Sequence, residues 1–142
     1  IRECGATTLI DVATLTGACV VALGDRYTGA FSNSDELMSK IVQASILAGE
    51  NIWRLPMGDE EYDNLNASTV ADIANCGKKC GATAAARFLG EFVEKKPWVH
   101  LDIAGTSESD EDTEIYSKGG TGAATMLLYE VVKLMEKPYK SY

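Results

Sequence analysis

The sequence predicts an α/β fold, because strand-like and helix-like segments alternate along its 142 residues. The clearest strand covers residues 7–13, which are apolar and rich in β-branched side chains, as buried strands are. The clearest helix covers residues 82–94, because apolar side chains recur there at helical spacing. The side chains expected on the apolar face of that helix are Ala85, Phe88, Leu89, Phe92 and Val93.

The first half of the chain continues this alternation. Gly17–Leu23 is predicted to be a short helix, and residues 27–31 are predicted to be a second strand. Ser34 has the side chain of an N-cap, and the helix that it opens is expected to end at Gly49. Residues 53–56 are expected to be extended, because the residue before a proline avoids the helical region.

The rest of the chain holds four further predicted elements. Residues 59–62 begin with acidic side chains, which favour the first turn of a short helix. Residues 98–104 alternate between apolar and polar side chains, and they are predicted to form a strand. Residues 108–114 carry five acids and are expected to be an exposed loop. Glycines within residues 119–122 open the last predicted helix, residues 123–136.

Composition and charge narrow the classes of function. Lysine and arginine number 13 and aspartate and glutamate number 21, which gives a net charge of −8. An acidic chain repels phosphate, so nucleic acid and anionic membrane surfaces are disfavoured as partners. No apolar stretch reaches the roughly 20 residues that a membrane-spanning helix needs. Because no linker divides residues 1–142 and no Met opens them, we expect one domain, or part of one, that begins inside a longer polypeptide.

The four cysteines do not predict a disulfide scaffold or a zinc site. They are Cys4, Cys19, Cys76 and Cys80. Four cysteines are few for a disulfide framework at this length. The spacing of the last two invites a zinc site, but a second pair of cysteine or histidine ligands is missing nearby. Free thiols in a reducing cytosol are the favoured interpretation.

Two junctions between a strand and a glycine are candidate ligand-facing turns. They cover residues 11–17 and residues 102–106. In open α/β sheets, ligands collect where strands end at their carboxyl side. Gly17 and Gly105 would let a ligand approach the main chain closely, but tight turns without any ligand give the same pattern.

Two acidic residues lie inside apolar segments, and a buried carboxylate must be paired or hydrogen-bonded. Asp11 and Asp102 could each be a metal ligand, a general base or a structural hydrogen-bond acceptor, and the structural role is favoured. His100 lies between Val99 and Leu101, with no candidate nucleophile near it. A structural histidine is therefore expected rather than a catalytic one. From the residues alone, no complete catalytic set can be assembled.

Six runs of the sequence, in order, resemble the leucyl (cytosol) aminopeptidase family. The two longest are Ile-Asp-Val-Ala-Thr-Leu-Thr-Gly-Ala-Cys-Val at residues 10–20 and Trp-Val-His-Leu-Asp-Ile-Ala-Gly-Thr at residues 98–106. The others are Trp53-Arg54-Leu55-Pro56, Ala71-Asp72 with Asn75, Ala85 with Phe88-Leu89 and Phe92, and Lys118-Gly119 with Thr121-Gly122. The resemblance covers nearly the whole chain, and six runs in the family's order are far more specific than one.

The resemblance implies a three-layer α/β/α fold with a mixed central sheet, as the C-terminal portion of a larger metallopeptidase domain. It also implies a cytoplasmic enzyme, usually hexameric, that removes N-terminal residues such as leucine from peptides with two divalent ions (Zn, Mn or Mg). The family's metal ligands lie upstream of Ala-Thr-Leu-Thr-Gly. The last two belong to an Asn-Thr-Asp-Ala-Glu-Gly-Arg motif with a catalytic arginine at its end. That motif is absent here, so no metal ligand or catalytic residue is assigned, and the chain alone is expected to be inactive.

By resemblance, the chain carries one wall of a substrate pocket. Thr14 and Gly17 match positions that line the pocket for the N-terminal side chain, and Leu15 matches one whose main chain touches substrate. Ala104 and Ser107 match two further lining positions. The pocket would suit leucine or methionine, although Ser107 stands in place of a larger apolar residue and would widen or polarise it.

The sequence leaves two alternatives to this interpretation open. The first is a non-catalytic binding or assembly module that uses the same fold. The second is a subunit that pairs in trans with a chain carrying the metal ligands.

Overall fold

The computed structural model describes residues 2–59, 65–66, 68–75 and 81–136. Its main sheet has four strands among these residues: β1 (Leu9–Ala13), β2 (Thr28–Ser32), β3 (Ile52–Arg54) and β4 (Trp98–Asp102). The strand order across the sheet is β1-β4-β2-β3. β1 runs parallel to β4 and β2 parallel to β3, whereas β4 and β2 are antiparallel, so the sheet is mixed.

Four helices in the described part of the chain cover the two faces of the sheet. They are α1 (Gly17–Leu23), α2 (Asp35–Ala48), α3 (Gly81–Gly90) and α4 (Thr125–Met135). α2 and α4 pack together on one face, and α1 and α3 pack together on the other. This arrangement confirms the predicted three-layer α/β/α fold with a mixed central sheet.

The two cores use alternate residues of the same strands, because successive side chains of a strand point to opposite faces. Ala30 and Val99 contribute to the core beneath α2 and α4. Their chain neighbours Phe31 and Trp98 contribute to the core beneath α1 and α3, where Cys19 and Ala86 also lie. β4 is buried along its whole length, including the polar side chains of His100 and Asp102. It is a central strand with helices on both faces, which leaves no side of it for water.

Local sequence signals set the ends of α2 as predicted. The Ser34 hydroxyl accepts a hydrogen bond from the backbone N–H of Leu37 at 3.3 Å, which satisfies a free N–H of the first turn. Gly49 ends the helix with a left-handed φ of 69°, a conformation that costs glycine little.

α3 differs from the prediction in length and in its buried face. The helix ends at Gly90 rather than at residue 94. Glu94 and Lys95 have φ values of 54° and 60°, and the N–H of Lys96 donates to the carbonyl of Val93 at 3.0 Å, so the chain reverses just after Val93, which lies in the core. Phe92 is 61% exposed and packs on Phe88 at a ring distance of 5.2 Å instead of entering the core.

Other differences lie near the last helix. Residues 108–109 and 119–120 pair as a short antiparallel hairpin, β5 (Glu108–Ser109) and β6 (Gly119–Gly120), and the residues between them are exposed. Gly119 and Gly120 belong to this hairpin, and Ala124 has a left-handed φ of 70°, so the last helix starts at Thr125 and not at residue 123. The described strand β4 likewise ends at Asp102 rather than at residue 104.

Some predictions fall on residues without a description. Residues 60–62 of the helix predicted at 59–62 lie outside the described residues, as do Cys76 and Cys80. Within the described ranges, none of the helices combines the length and the apolar content needed to cross a bilayer.

The N-terminus of α4 is capped from another element. Ala124, the residue before the helix, has no side chain that could cap it. The carboxylate of Glu50, just after α2, accepts hydrogen bonds from the backbone N–H groups of Ala124 and Leu127, the latter at 3.0 Å. Glu50 therefore satisfies helix donors that the local sequence leaves free, and it joins α2 to α4.

We expect Glu50→Ala to reduce the free energy of unfolding of the complete protein by about 1–2 kcal/mol, since loss of a helix cap costs this much. The measurement is the unfolding midpoint in urea. Glu36→Ala is the control, because Glu36 is an exposed acid of α2 that pairs with Lys40 in an i,i+4 salt bridge on the helix surface. An equal effect of the two substitutions would contradict the capping role of Glu50.

Candidate functional site

Asp102 lies at the carboxyl end of β4 and is 1% exposed. Its Oδ1 accepts hydrogen bonds from the backbone N–H groups of Leu15 at 3.0 Å and Ala104 at 3.2 Å, with a longer contact from Thr16 at 3.5 Å. Its Oδ2 accepts a hydrogen bond from the Thr16 hydroxyl at 2.7 Å. This buried carboxylate is therefore satisfied by main-chain and hydroxyl donors, as the structural reading of Asp102 predicts.

The sheet places the two junction loops side by side. β1 and β4 are parallel neighbours, with Ala13 opposite Asp102 in the register. The N–H of Ile103 donates to the carbonyl of Ala13 at 2.9 Å, which extends the contact by one residue. Because parallel strands end at the same edge, the loop after β1 and the loop after β4 emerge together.

These two loops contain all five residues predicted to line the substrate pocket. On the first loop and the start of α1, Thr14, Leu15 and Gly17 are exposed. On the second loop, Ala104 and Ser107 are partly buried. The geometry brings the five onto one edge of the sheet, while their contact with a substrate stays a prediction.

Three threonines that the sequence analysis did not single out fix the second loop. The hydroxyls of Thr28 and Thr106 are 2.8 Å apart, which joins the loop to β2. The Thr121 hydroxyl donates to the Thr106 carbonyl at 2.6 Å, and the Thr121 N–H donates to the Ser107 carbonyl at 2.9 Å. The sequence carries no local signal for these partners, because each lies at least 14 residues away along the chain.

Thr16 also went unrecognised, although a local signal for it exists. It precedes α1, and its hydroxyl accepts a hydrogen bond from the backbone N–H of Cys19 at 3.1 Å. A threonine just before a helix, whose hydroxyl accepts from the backbone N–H three residues later, is a typical N-cap. The same hydroxyl donates to Asp102, so the cap of α1 and the buried carboxylate form one chain of hydrogen bonds.

The two glycines of the junctions have different roles. A Cβ at Gly105 would overlap the backbone carbonyl oxygen of Gly24, so this glycine allows two stretches of main chain to touch. The close approach predicted for a ligand at Gly105 is thus made by the protein's own backbone. A Cβ at Gly17 would meet nothing within 4 Å, so space remains open beside that residue.

Asp11 is a structural acceptor as well. Its Oδ1 lies 2.6 Å from Nδ1 of His100, and its Oδ2 accepts a hydrogen bond from Nε1 of Trp98 at 2.6 Å. The imidazole is fully buried and stacks near Phe31 and Trp98 at ring distances of 6.0 and 6.4 Å. The hydrogen bond at Nδ1 agrees with the predicted structural role of His100. Its Nε2 has no hydrogen-bond partner among the described residues.

The described residues do not fit a two-metal centre. No group of three or more histidine, cysteine, aspartate or glutamate side chains comes together among them. The carboxylates of Asp11 and Asp102 are already engaged by donors of the protein itself. We therefore assign no metal-binding role to either residue.

Cys19 packs directly behind this site. Burial raises the pKa of the Cys19 thiol, and the negative charge of Asp102 raises it further. The sulfur lies 3.8 Å from the Asp102 carbonyl oxygen, and a Cβ on Gly29 would overlap it. The thiol thus stays neutral at physiological pH and serves as a small packing residue.

We expect Gly105→Ala to lower the unfolding temperature of the complete protein and to disturb the second loop, because the new Cβ would overlap the carbonyl of Gly24. Overpacking of this kind costs about 1–3 kcal/mol. Gly120→Ala is the matched control, since a Cβ there meets nothing within 4 Å. Thermal unfolding of both variants checks this, and an unchanged midpoint for Gly105→Ala would contradict the assigned contact.

The chain is similar to known proteins over most of its length. Residues 1–129 match the profile of the cytosol aminopeptidase family, catalytic domain. A probable cytosol aminopeptidase of Alkaliphilus metalliredigens is 51% identical over 136 residues, which are 95% of this chain and 27% of that protein. A probable cytosol aminopeptidase of Picosynechococcus sp. is 50% identical over 122 residues, which are 85% of this chain and 25% of that protein.

Solved structures agree with these relatives. A mutant of tomato leucine aminopeptidase superposes with a TM-score of 0.84 at 42% identity, covering 92% of this chain and 25% of that one. The bottromycin maturation enzyme BotP superposes with a TM-score of 0.86 at 41% identity, covering 92% of this chain and 29% of that one. The chain spans about a quarter of the length of the relatives it matches. It belongs to the cytosol aminopeptidase family, as a part of the catalytic domain.

Proposed function

We propose that this chain is the C-terminal part of the catalytic domain of a two-metal aminopeptidase, and that it supplies one wall of the pocket for the N-terminal side chain of a peptide. The observation that carries the proposal is the pair of loops held together by Asp102 at one sheet edge. Those loops contain the residues that match the family's pocket positions: Thr14, Leu15, Gly17, Ala104 and Ser107.

The chemistry of hydrolysis belongs to other segments in this proposal. Backbone and hydroxyl donors engage the carboxylate of Asp102, and ring nitrogens of Trp98 and His100 engage that of Asp11, so the proposal gives neither a role as ligand or base. The metal ligands and the catalytic arginine would come from an upstream segment of the Asn-Thr-Asp-Ala-Glu-Gly-Arg type. The identity of the ions (Zn, Mn or Mg), a hexameric assembly and a cytoplasmic location belong to the same proposal.

The wall favours a medium-sized apolar side chain at the peptide N-terminus. Gly17 has no side chain and open space beside it, and Ala104 adds a single methyl group. Leucine or methionine would fill such a space and bury apolar surface. Ser107 adds a hydroxyl to the same loop, so the pocket would tolerate a more polar side chain than a fully apolar wall does.

We expect the complete protein to hydrolyse leucine p-nitroanilide, to lose that activity in EDTA and to regain it with Zn, Mn or Mg ions. The isolated 142-residue chain should release no p-nitroaniline under the same conditions, because it lacks the metal ligands. Metal-dependent hydrolysis by the isolated chain would contradict the proposal that the metal ligands come from an upstream segment. A complete protein that binds peptides without cleaving them would favour the non-catalytic module.

We further expect Gly17→Leu in the complete protein to reduce kcat/KM for leucine p-nitroanilide about tenfold or more relative to alanine p-nitroanilide. A leucine side chain at position 17 would occupy the proposed pocket, and its Cβ would meet no atom within 4 Å. Gly120→Leu, at an equally open glycine of the β5–β6 hairpin, is the control. An unchanged ratio in Gly17→Leu, with the protein folded, would remove this residue from the pocket.

A further inference from the structure

We propose that Asp102 is a positioning residue for the substrate wall, and that its carboxylate sets the separation of the two loops and hence the width of the pocket. The inference rests on the proposed function, since it concerns the same pocket. Asp102 itself would not touch the substrate, because it is 1% exposed beneath the loops.

A single oxygen atom bonds to both loops. Oδ1 of Asp102 accepts from the N–H of Leu15 on the first loop and from the N–H of Ala104 on the second. The two nitrogens can therefore be no farther apart than these two hydrogen bonds laid end to end. Leu15 and Ala104 are both predicted wall residues, so the shared oxygen fixes the main chain of the wall itself.

The second oxygen extends this control to α1. Oδ2 accepts from the Thr16 hydroxyl, and that hydroxyl accepts in turn from the N–H of Cys19 in the first turn of the helix. Gly17 lies between these two residues at the start of α1. Its position relative to the second loop thus depends on the same carboxylate.

The hydrogen bonds between the two loops and the Asp102 carboxylate are expected to be strong. Hydrogen bonds to a charged acceptor are shorter and about twice as strong as those between neutral groups. No salt bridge to Asp102 is found in the described part of the chain, so its charge is stabilised by the loop donors themselves. Opening the loops would leave a buried carboxylate without partners, which is costly.

An asparagine at position 102 cannot reproduce this arrangement. The Oδ1 position faces only N–H donors, so the amide nitrogen would have to take the Oδ2 position beside Thr16. The Thr16 hydroxyl would then lose its acceptor, and the loop N–H groups would keep only a neutral one. The result is a looser wall without a change in side-chain size.

The chain offers a matched control in Asp11. This carboxylate also lies on the α1–α3 face, but it accepts two hydrogen bonds at 2.6 Å from side chains within the sheet, those of Trp98 and His100. No loop N–H group donates to it among the described hydrogen bonds. Asp11→Asn therefore disturbs a carboxylate of the sheet without disturbing the connection between the loops.

The test compares Asp102→Asn, Thr16→Val, Thr16→Ser and Asp11→Asn in the complete protein, with kcat and KM measured separately for leucine and alanine p-nitroanilides. Each assay is run below the unfolding temperature of the variant. We expect Asp102→Asn and Thr16→Val to lower the leucine-to-alanine ratio of kcat/KM about tenfold, mainly through KM for leucine. Thr16→Ser retains the hydroxyl and should restore the ratio, and Asp11→Asn should lower the unfolding temperature without changing the ratio.

A folded Asp102→Asn protein with the wild-type ratio would overturn the positioning role. If that variant does not fold, Thr16→Val decides in the same way, because it keeps the buried carboxylate and the volume of the side chain. A failure of the proposed function itself is distinguishable, because the wild-type protein would then cleave neither p-nitroanilide. An equal change of the ratio in Asp11→Asn would also overturn the inference, because it would trace the effect to the sheet in general.

Discussion

The parallel pairing of β1 with β4 is the constraint on which the rest of the site depends. This pairing places Ala13 opposite Asp102, so both strands end at one edge and their loops leave the sheet as neighbours. It also directs the Asp102 side chain to the face that carries α1, where the backbone of the first loop supplies its donors. A slip of one residue in the register of β4 would turn Asp102 to the α2–α4 face, into an apolar core that offers no donors.

Asp11 and Asp102, two acids of this face, perform different tasks with the same functional group. Asp11 joins side chains of one strand pair, through Trp98 and His100. Asp102 joins segments of main chain that have no regular structure of their own. Backbone N–H groups in a buried loop need an acceptor, and a carboxylate can serve several at once. Asp102 therefore supplies the acceptor that the backbone N–H groups of these two irregular loops would otherwise find in a sheet or a helix.

The sequence predicts those features whose cause is local. The cap at Ser34, the stop at Gly49 and the short helix Gly17–Leu23 depend on residues within a few positions of each other, and the structure has them as predicted. The family resemblance supplied the layers and the mixed sheet, which periodicity alone does not determine. The reversal at Glu94 and Lys95 was missed, because a left-handed conformation at such residues has no sequence signal.

The site shows the same division between local and distant causes. Sequence analysis recognised both junctions and the structural character of Asp102, but not that one carboxylate serves both loops, since Leu15 and Asp102 are 87 positions apart. Thr106 and Thr121 were missed for the same reason, because their partners are defined only once the hairpin and β2 are in place. The substrate contacts of the five wall residues stay predictions that rest on the family's motifs.

The backbone contact between Gly105 and Gly24 fixes the second loop against the end of α1. Position 105 accepts no side chain, so the second loop is fixed at one point whatever residues surround it. Two positions further on, Ser107 is partly exposed. Under the proposed function, a different side chain at position 107 would change the pocket without moving the point at which Gly24 fixes the loop.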